Sequence, residues 1–83
     1  MKNKHISDDD LAHYYGFRVP LEFVDQETGF AKREIIKWLQ TSCKDTFKLE
    51  NFVDRLPNGK IGYAVRVYLK NEDDAIIYRL FWT

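Results

Sequence analysis

The stretch Leu56-Pro57-Asn58-Gly59-Lys60-Ile61, followed by the alternating apolar residues Tyr63, Val65, Val67 and Leu69, decides the fold. Asn-Gly tolerates the positive φ angles of a two-residue type I′ turn, so it predicts a hairpin with Pro57 paired to Lys60, Leu56 opposite Ile61 and Phe52 opposite Val65. A second connection, Asn71 to Asp74, is polar and acidic. Pairing Lys70 with Ala75 across it sets Leu69 beside Ile76, Val67 beside Tyr78, Val65 beside Leu80 and Tyr63 beside Trp82, which makes one face wholly apolar. A one-residue slip would move the whole set to the other face, so the agreement selects this register. Phe47 and Leu49 are out of phase with Phe52 and Leu56, which calls for a β-bulge near Glu50-Asn51 or for a strand that starts only at Phe52.

Working outward, Ala31 to Cys43 reads as a helix. At 100° per residue Ala31, Ile35, Ile36, Trp38, Leu39, Ser42 and Cys43 share one arc, while Arg33, Glu34, Lys37, Gln40 and Thr41 take the other. Asp25 to Gly29 closes a turn with Gly29 left-handed, or Thr28 caps that helix. Asp8 to Tyr15 suits a short first helix, with Ser7 as N-cap, three aspartates at its positive end and Gly16 after its last turn. Phe17 to Phe23 alternates but contains Pro20, so it is an edge strand or a draped loop. The fold class is therefore α+β: one or two helices packed on one face of a three-stranded antiparallel β-meander, with an additional edge strand as an option. Leu11, Tyr14, Phe17 and Leu21 are expected to complete the cover of the sheet.

Eighty-three residues with 45% hydrophobic and 16% aromatic content suit one domain, 1–83, with residues 1–6 frayed. The single Cys43 excludes an intramolecular disulfide and a cysteine metal clip, and points to a reducing, cytoplasmic setting. The first ten residues hold no apolar stretch of signal-peptide length, and no apolar run approaches the ~20 residues of a membrane-spanning helix. Thirteen basic and thirteen acidic groups cancel, so composition supplies no basic field for nucleic acid or an anionic membrane.

Catalytic constellations are not legible. His5 and His13 stand apart from any nucleophile, the glycines are isolated, and Cys43 falls toward the core side of its helix without a neighbouring base. No enzyme activity, cofactor or metal is expected. Leu11-Ala12-His13-Tyr14-Tyr15-Gly16 resembles the first helix and turn of a helix-turn-helix, but Pro20 stands where the second helix should follow. Gly62 to Tyr68 resembles the RNP1 strand of an RNA-recognition motif, with Ile61 in place of the basic residue and Val65 in place of an aromatic.

On the strand pairing above, the face away from the core carries Val53, Arg66, Tyr68, Ile77, Arg79 and Phe81, with Arg66 beside Arg79. Arginine and aromatic side chains are enriched at interface hot spots. These six residues are the candidate partner-binding site of a non-enzymatic protein-interaction module, a small inhibitor, adaptor or antitoxin-like regulator. It would act on a protein partner or on itself as a homodimer. Arginine with tyrosine or phenylalanine also suits single-stranded bases, so a nucleic-acid-binding or transcription-regulating protein is the alternative.

Overall fold

A computed structural model describes residues 13–82. Its elements are β1 (Tyr15–Arg18), a 3₁₀ turn (Leu21–Phe23), α1 (Arg33–Ser42), β2 (Phe47–Arg55), β3 (Ile61–Leu69) and α2 (Glu72–Trp82). The hairpin between β2 and β3 forms where expected but closes differently. The Leu56 N–H donates to the Lys60 carbonyl at 2.8 Å, the Gly59 N–H donates to the Leu56 carbonyl at 2.9 Å, and Gly59 has φ +86°. The loop is thus three residues long, Pro57 to Gly59, a type I turn followed by a left-handed glycine. Proline explains the choice. Paired with Lys60 it would lack the N–H that the ladder needs, whereas as the second residue of a type I turn its fixed φ fits and no donor is required.

This shifts the register by one residue from the two-residue turn. Arg55 lies opposite Ile61, Phe52 opposite Ala64, Leu49 opposite Val67 and Phe47 opposite Leu69, without interruption. No bulge occurs at Glu50-Asn51. Phe47, Leu49, Asn51 and Val53 share the face of Leu69, Val67, Val65 and Tyr63, and Phe52 turns to the opposite face, which resolves the phase conflict.

The sheet is antiparallel and three-stranded, as expected, but its third strand is β1, giving the order β1-β3-β2. Tyr15 pairs with Leu69 and Arg18 with Arg66, and the Val19 N–H continues the ladder to the Val65 carbonyl at 2.9 Å. Beyond that point Gln26 stands in for a strand: its Oε1 accepts the Tyr63 N–H and its Nε2 donates to the Tyr63 carbonyl, both at 2.8 Å. Tyr15 and Gly16 are therefore strand residues. Most of the first helix expected over Asp8 to Tyr15 lies outside the described residues.

Ala75 to Trp82, expected as a strand, is helical. The Asn71 Oδ1 accepts the N–H groups of Asp73 and Asp74 at 2.8 and 3.2 Å, an N-cap reinforced by Glu72, Asp73 and Asp74 at the positive end of the helix dipole. The edge of β3 that a C-terminal strand would need is occupied by β1. As a helix the segment still reaches the core, because Ala75, Tyr78 and Trp82 recur at helical spacing and pack against it.

α1 follows the sequence pattern closely: Ile35 and Leu39 are fully buried, and Arg33, Glu34, Lys37, Gln40 and Thr41 are exposed. Asp25 to Gly29 forms the turn, with Gly29 at φ +81°, so Thr28 does not cap the helix, which starts after Lys32. Both helices lie on the face of β3 that carries Val65, Val67 and Leu69, and with Val19, Val24, Ile35, Leu39 and Tyr78 these form the core. The architecture is α+β, helices packed on one face of a three-stranded antiparallel sheet.

Candidate interaction site

The six residues expected on one surface separate into three places. Arg66 and Tyr68 lie on the sheet face away from the helices. Val53 lies on the helix side of β2, at the hairpin end, where the helices do not reach it. Ile77, Arg79 and Phe81 are on α2. The supposed neighbours Arg66 and Arg79 therefore belong to different layers.

The arginine that faces Arg66 is Arg18, directly opposite it in the β1–β3 register. The conflict between two like charges is settled by Phe52 on β2: both guanidinium carbons lie over its ring, at 5.1 Å for Arg18 and 5.5 Å for Arg66 from the centroid, where the negative ring face attracts cations. Arg18 also pairs with Asp54 at 3.1 Å. The Tyr68 hydroxyl donates to Glu50 Oε1 at 2.8 Å. Partial burial, then that bond to Glu50, raise the Tyr68 hydroxyl above its ordinary range, with Arg66 pulling the other way. Lys48 sits over the Tyr14 ring at 5.6 Å. No helix among the described residues covers this face, yet its charges are largely engaged with one another.

α2 presents a different surface. Its buried side is formed by Asp74, Ala75 and Tyr78, so Ile76 and Leu80, four residues apart, face outward with exposures of 52% and 78%. Phe81, 68% exposed, extends this row toward α1, its ring 5.8 Å from that of Trp38. A third apolar group, Phe30, Val53, Ile61 and Tyr63, is exposed at the hairpin end. A recess of about 220 Å³ there is lined by Gly29, Phe30, Asn51, Val53 and Tyr63 among others.

Reactive groups are not gathered anywhere among the described residues. His13 is exposed. Cys43 is half-buried, and desolvation, with the nearby Asp74 carboxylate second, pushes its thiol up to about 11, which leaves it protonated and unreactive at neutral pH. No group of three or more His, Cys, Asp or Glu side chains suited to a metal occurs among these residues, and none of their helices is long and apolar enough to cross a membrane.

Arg18, Phe52, Ile76 and Leu80 are the surface residues the strand reading missed. The signal that would have found the last two is Asn71-Glu72-Asp73-Asp74, an N-cap and acidic first turn ahead of an apolar run. No protein-family model matches the chain, and no curated protein or solved structure compared with it matches either.

Proposed function

We propose that this chain is a non-enzymatic protein-interaction module, a small adaptor or inhibitor, and that its principal contact surface is the outward row of α2. The observation that carries this reading is the exposure of Ile76, Leu80 and Phe81 together on one helix. Burying each such side chain is worth roughly 1.5–3 kcal/mol, and contiguous exposed apolar groups mark contact sites more often than they mark plain surface. Helix faces of this kind dock into apolar grooves through anchors such as i and i+4, the spacing of Ile76 and Leu80, with Phe81 beside Leu80. Ile77, Arg79 and Phe81, three of the six residues drawn from the sequence, belong to this helix; Val53, Arg66 and Tyr68 do not.

The test is affinity capture with the full chain from its native source, comparing wild type with Leu80→Glu and Ile76→Glu. Both sites are exposed, so folding should change by less than about 0.5 kcal/mol. A partner retained by wild type and lost by both variants supports the reading. Identical capture profiles would remove α2 as the contact surface.

A second reading is single-stranded nucleic acid on the uncovered sheet face, favoured by the grouping of Arg18, Arg66, Lys48 and Tyr68 there. Glu50 and Asp54 on the same face, and the covering of Phe52 by two guanidinium groups, weigh against it. Sub-micromolar binding to a single-stranded oligonucleotide at ~150 mM salt, lost in Arg66→Ala, would put this reading first.

A further inference from the structure

The two edges of the sheet are treated differently. On the β1 side β3 is occupied from Tyr63 to Leu69: β1 itself is only four residues long, Pro20 ends it, and Gln26 caps the backbone of Tyr63 where the strand runs out. On the other side β2 is an edge of nine residues, Phe47 to Arg55, with neither proline nor glycine. The hairpin bond from Leu56 to Lys60 sets the alternation. Residues 48, 50, 52 and 54 turn their backbone groups toward β3, and Leu49, Asn51 and Val53 turn theirs outward. An open edge of this length is a template for another strand.

We propose that β2 pairs antiparallel with β2 of a second copy about a twofold axis at Asn51, joining two sheets into one of six strands. The choice of occupant rests on self-complementarity of charge. With Asn51 opposite its counterpart, Leu49 faces Val53 of the other copy and Lys48 faces Asp54, each contact occurring twice as a twofold axis requires. Sliding the strands by one pleat in either direction, which keeps outward groups opposite outward groups, sets Glu50 against Glu50 or Glu50 against Asp54, and a slide of two pleats leaves only about five residues of each nine-residue strand paired. Like charges directly opposite are destabilising, so one register is selected.

The pairing also accounts for Val53. It lies on the helix side of the sheet, the face that is otherwise core, yet is 60% exposed. The second copy brings Leu49 beside it. Three outward pairs exchange about six backbone hydrogen bonds. Asp54 already accepts from Arg18 and from the Arg55 amide and has oxygen lone pairs left for a lysine. Lys48 exchanges the Tyr14 ring for that carboxylate by rotating its flexible stem. This surface is separate from the α2 row, so the failure of either proposal leaves the other standing.

The decisive experiment is sedimentation of the full chain from micromolar to millimolar concentration, with circular dichroism to confirm that each variant is folded. Wild type is expected to dimerise. Val53→Pro removes only an outward N–H, a position where an edge strand tolerates proline, and should weaken the dimer at least about tenfold. Lys48→Glu and Asp54→Lys each create like-charge pairs and should do the same. An equimolar mixture of these two variants restores both opposite-charge contacts in a heterodimer and should associate within about threefold of wild type. A monomeric wild type at millimolar concentration, a dimer indifferent to Val53→Pro, or a mixture that stays monomeric would overturn the proposal.

Discussion

The carboxylate of Asp74, on the first turn of α2, accepts the amide N–H of Lys44 with both oxygens, at 3.0 and 2.9 Å, although thirty positions separate the two residues. Its Oδ2 also accepts from Asp45 at 3.2 Å, and Asp74 is only 1% exposed. One side chain thus ties the α1–β2 connection to the start of the last helix.

Asp74→Ala should destabilise the fold by about 3 kcal/mol, because it leaves two buried or half-buried amides without an acceptor. Asp74→Asn keeps one oxygen and should cost less. Urea denaturation reads both, and an alanine variant within about 0.5 kcal/mol of wild type would show that water replaces the carboxylate.

Asn71 is expected to act through its cap alone. Asn71→Ala should cost about 1 kcal/mol, whereas Asn71→Asp should be close to neutral, since aspartate caps equally well. Equal loss in the two variants would assign the effect to something other than the cap.

The two left-handed glycines should respond unequally to alanine. At Gly59, φ +86°, an added methyl group meets nothing within 4 Å, so only backbone strain of about 1 kcal/mol is incurred. At Gly29, φ +81°, it would stand 2.9 Å from Tyr63 Cδ1 and must also displace the ring, raising the cost to about 2 kcal/mol or more. Reversal of this order in thermal melts would contradict the packing of the Asp25 to Gly29 turn on β3.

Alkaline pH should weaken the fold in two steps. Desolvation raises Cys43 from 9.0 to about 11 and Tyr78 from 10.0 to about 12. The folded state therefore holds each proton more tightly than the unfolded state. The associated stability is complete below pH 9 and declines as pH rises, through about 11 for the thiol and about 12 for the phenol. Urea midpoints across this range should show the decline, with Cys43→Ala flattening the lower part and Tyr78→Phe the upper. At pH 8 iodoacetamide should modify the folded thiol about a hundredfold more slowly than the urea-unfolded one; equal rates would place Cys43 in open solvent.

Much of the sheet is legible along the chain. The alternation of β3 put Val65, Val67 and Leu69 on the core face, where they are. Asn58-Gly59 locates the hairpin but not its loop length, which Pro57 decides by fitting the second residue of a type I turn better than a paired strand position. That one-residue difference moves Val53 to the helix side of the sheet and Phe52 beneath Arg18 and Arg66, while Ile77, Arg79 and Phe81 leave the candidate site because their segment is helical.

By itself the sequence determined the local elements whose signals are self-contained, the amphipathic helix read over Ala31 to Cys43 and the hairpin around Gly59, but it left the turn closed by Gly29 open against a Thr28 cap. It also determined the α+β class, since one long helical stripe and a strongly alternating pair of strands admit little else. Only the tertiary structure decided between helix and strand for Ala75 to Trp82. A run apolar at seven of eight positions satisfies periods of 2 and 3.6 alike, and the outcome turned on which segment took the free edge of β3. Tyr15 to Arg18, about fifty positions from its β3 partners in sequence, took it. The last helix then packed Ala75, Tyr78 and Trp82 inward and left Ile76, Leu80 and Phe81 at the surface.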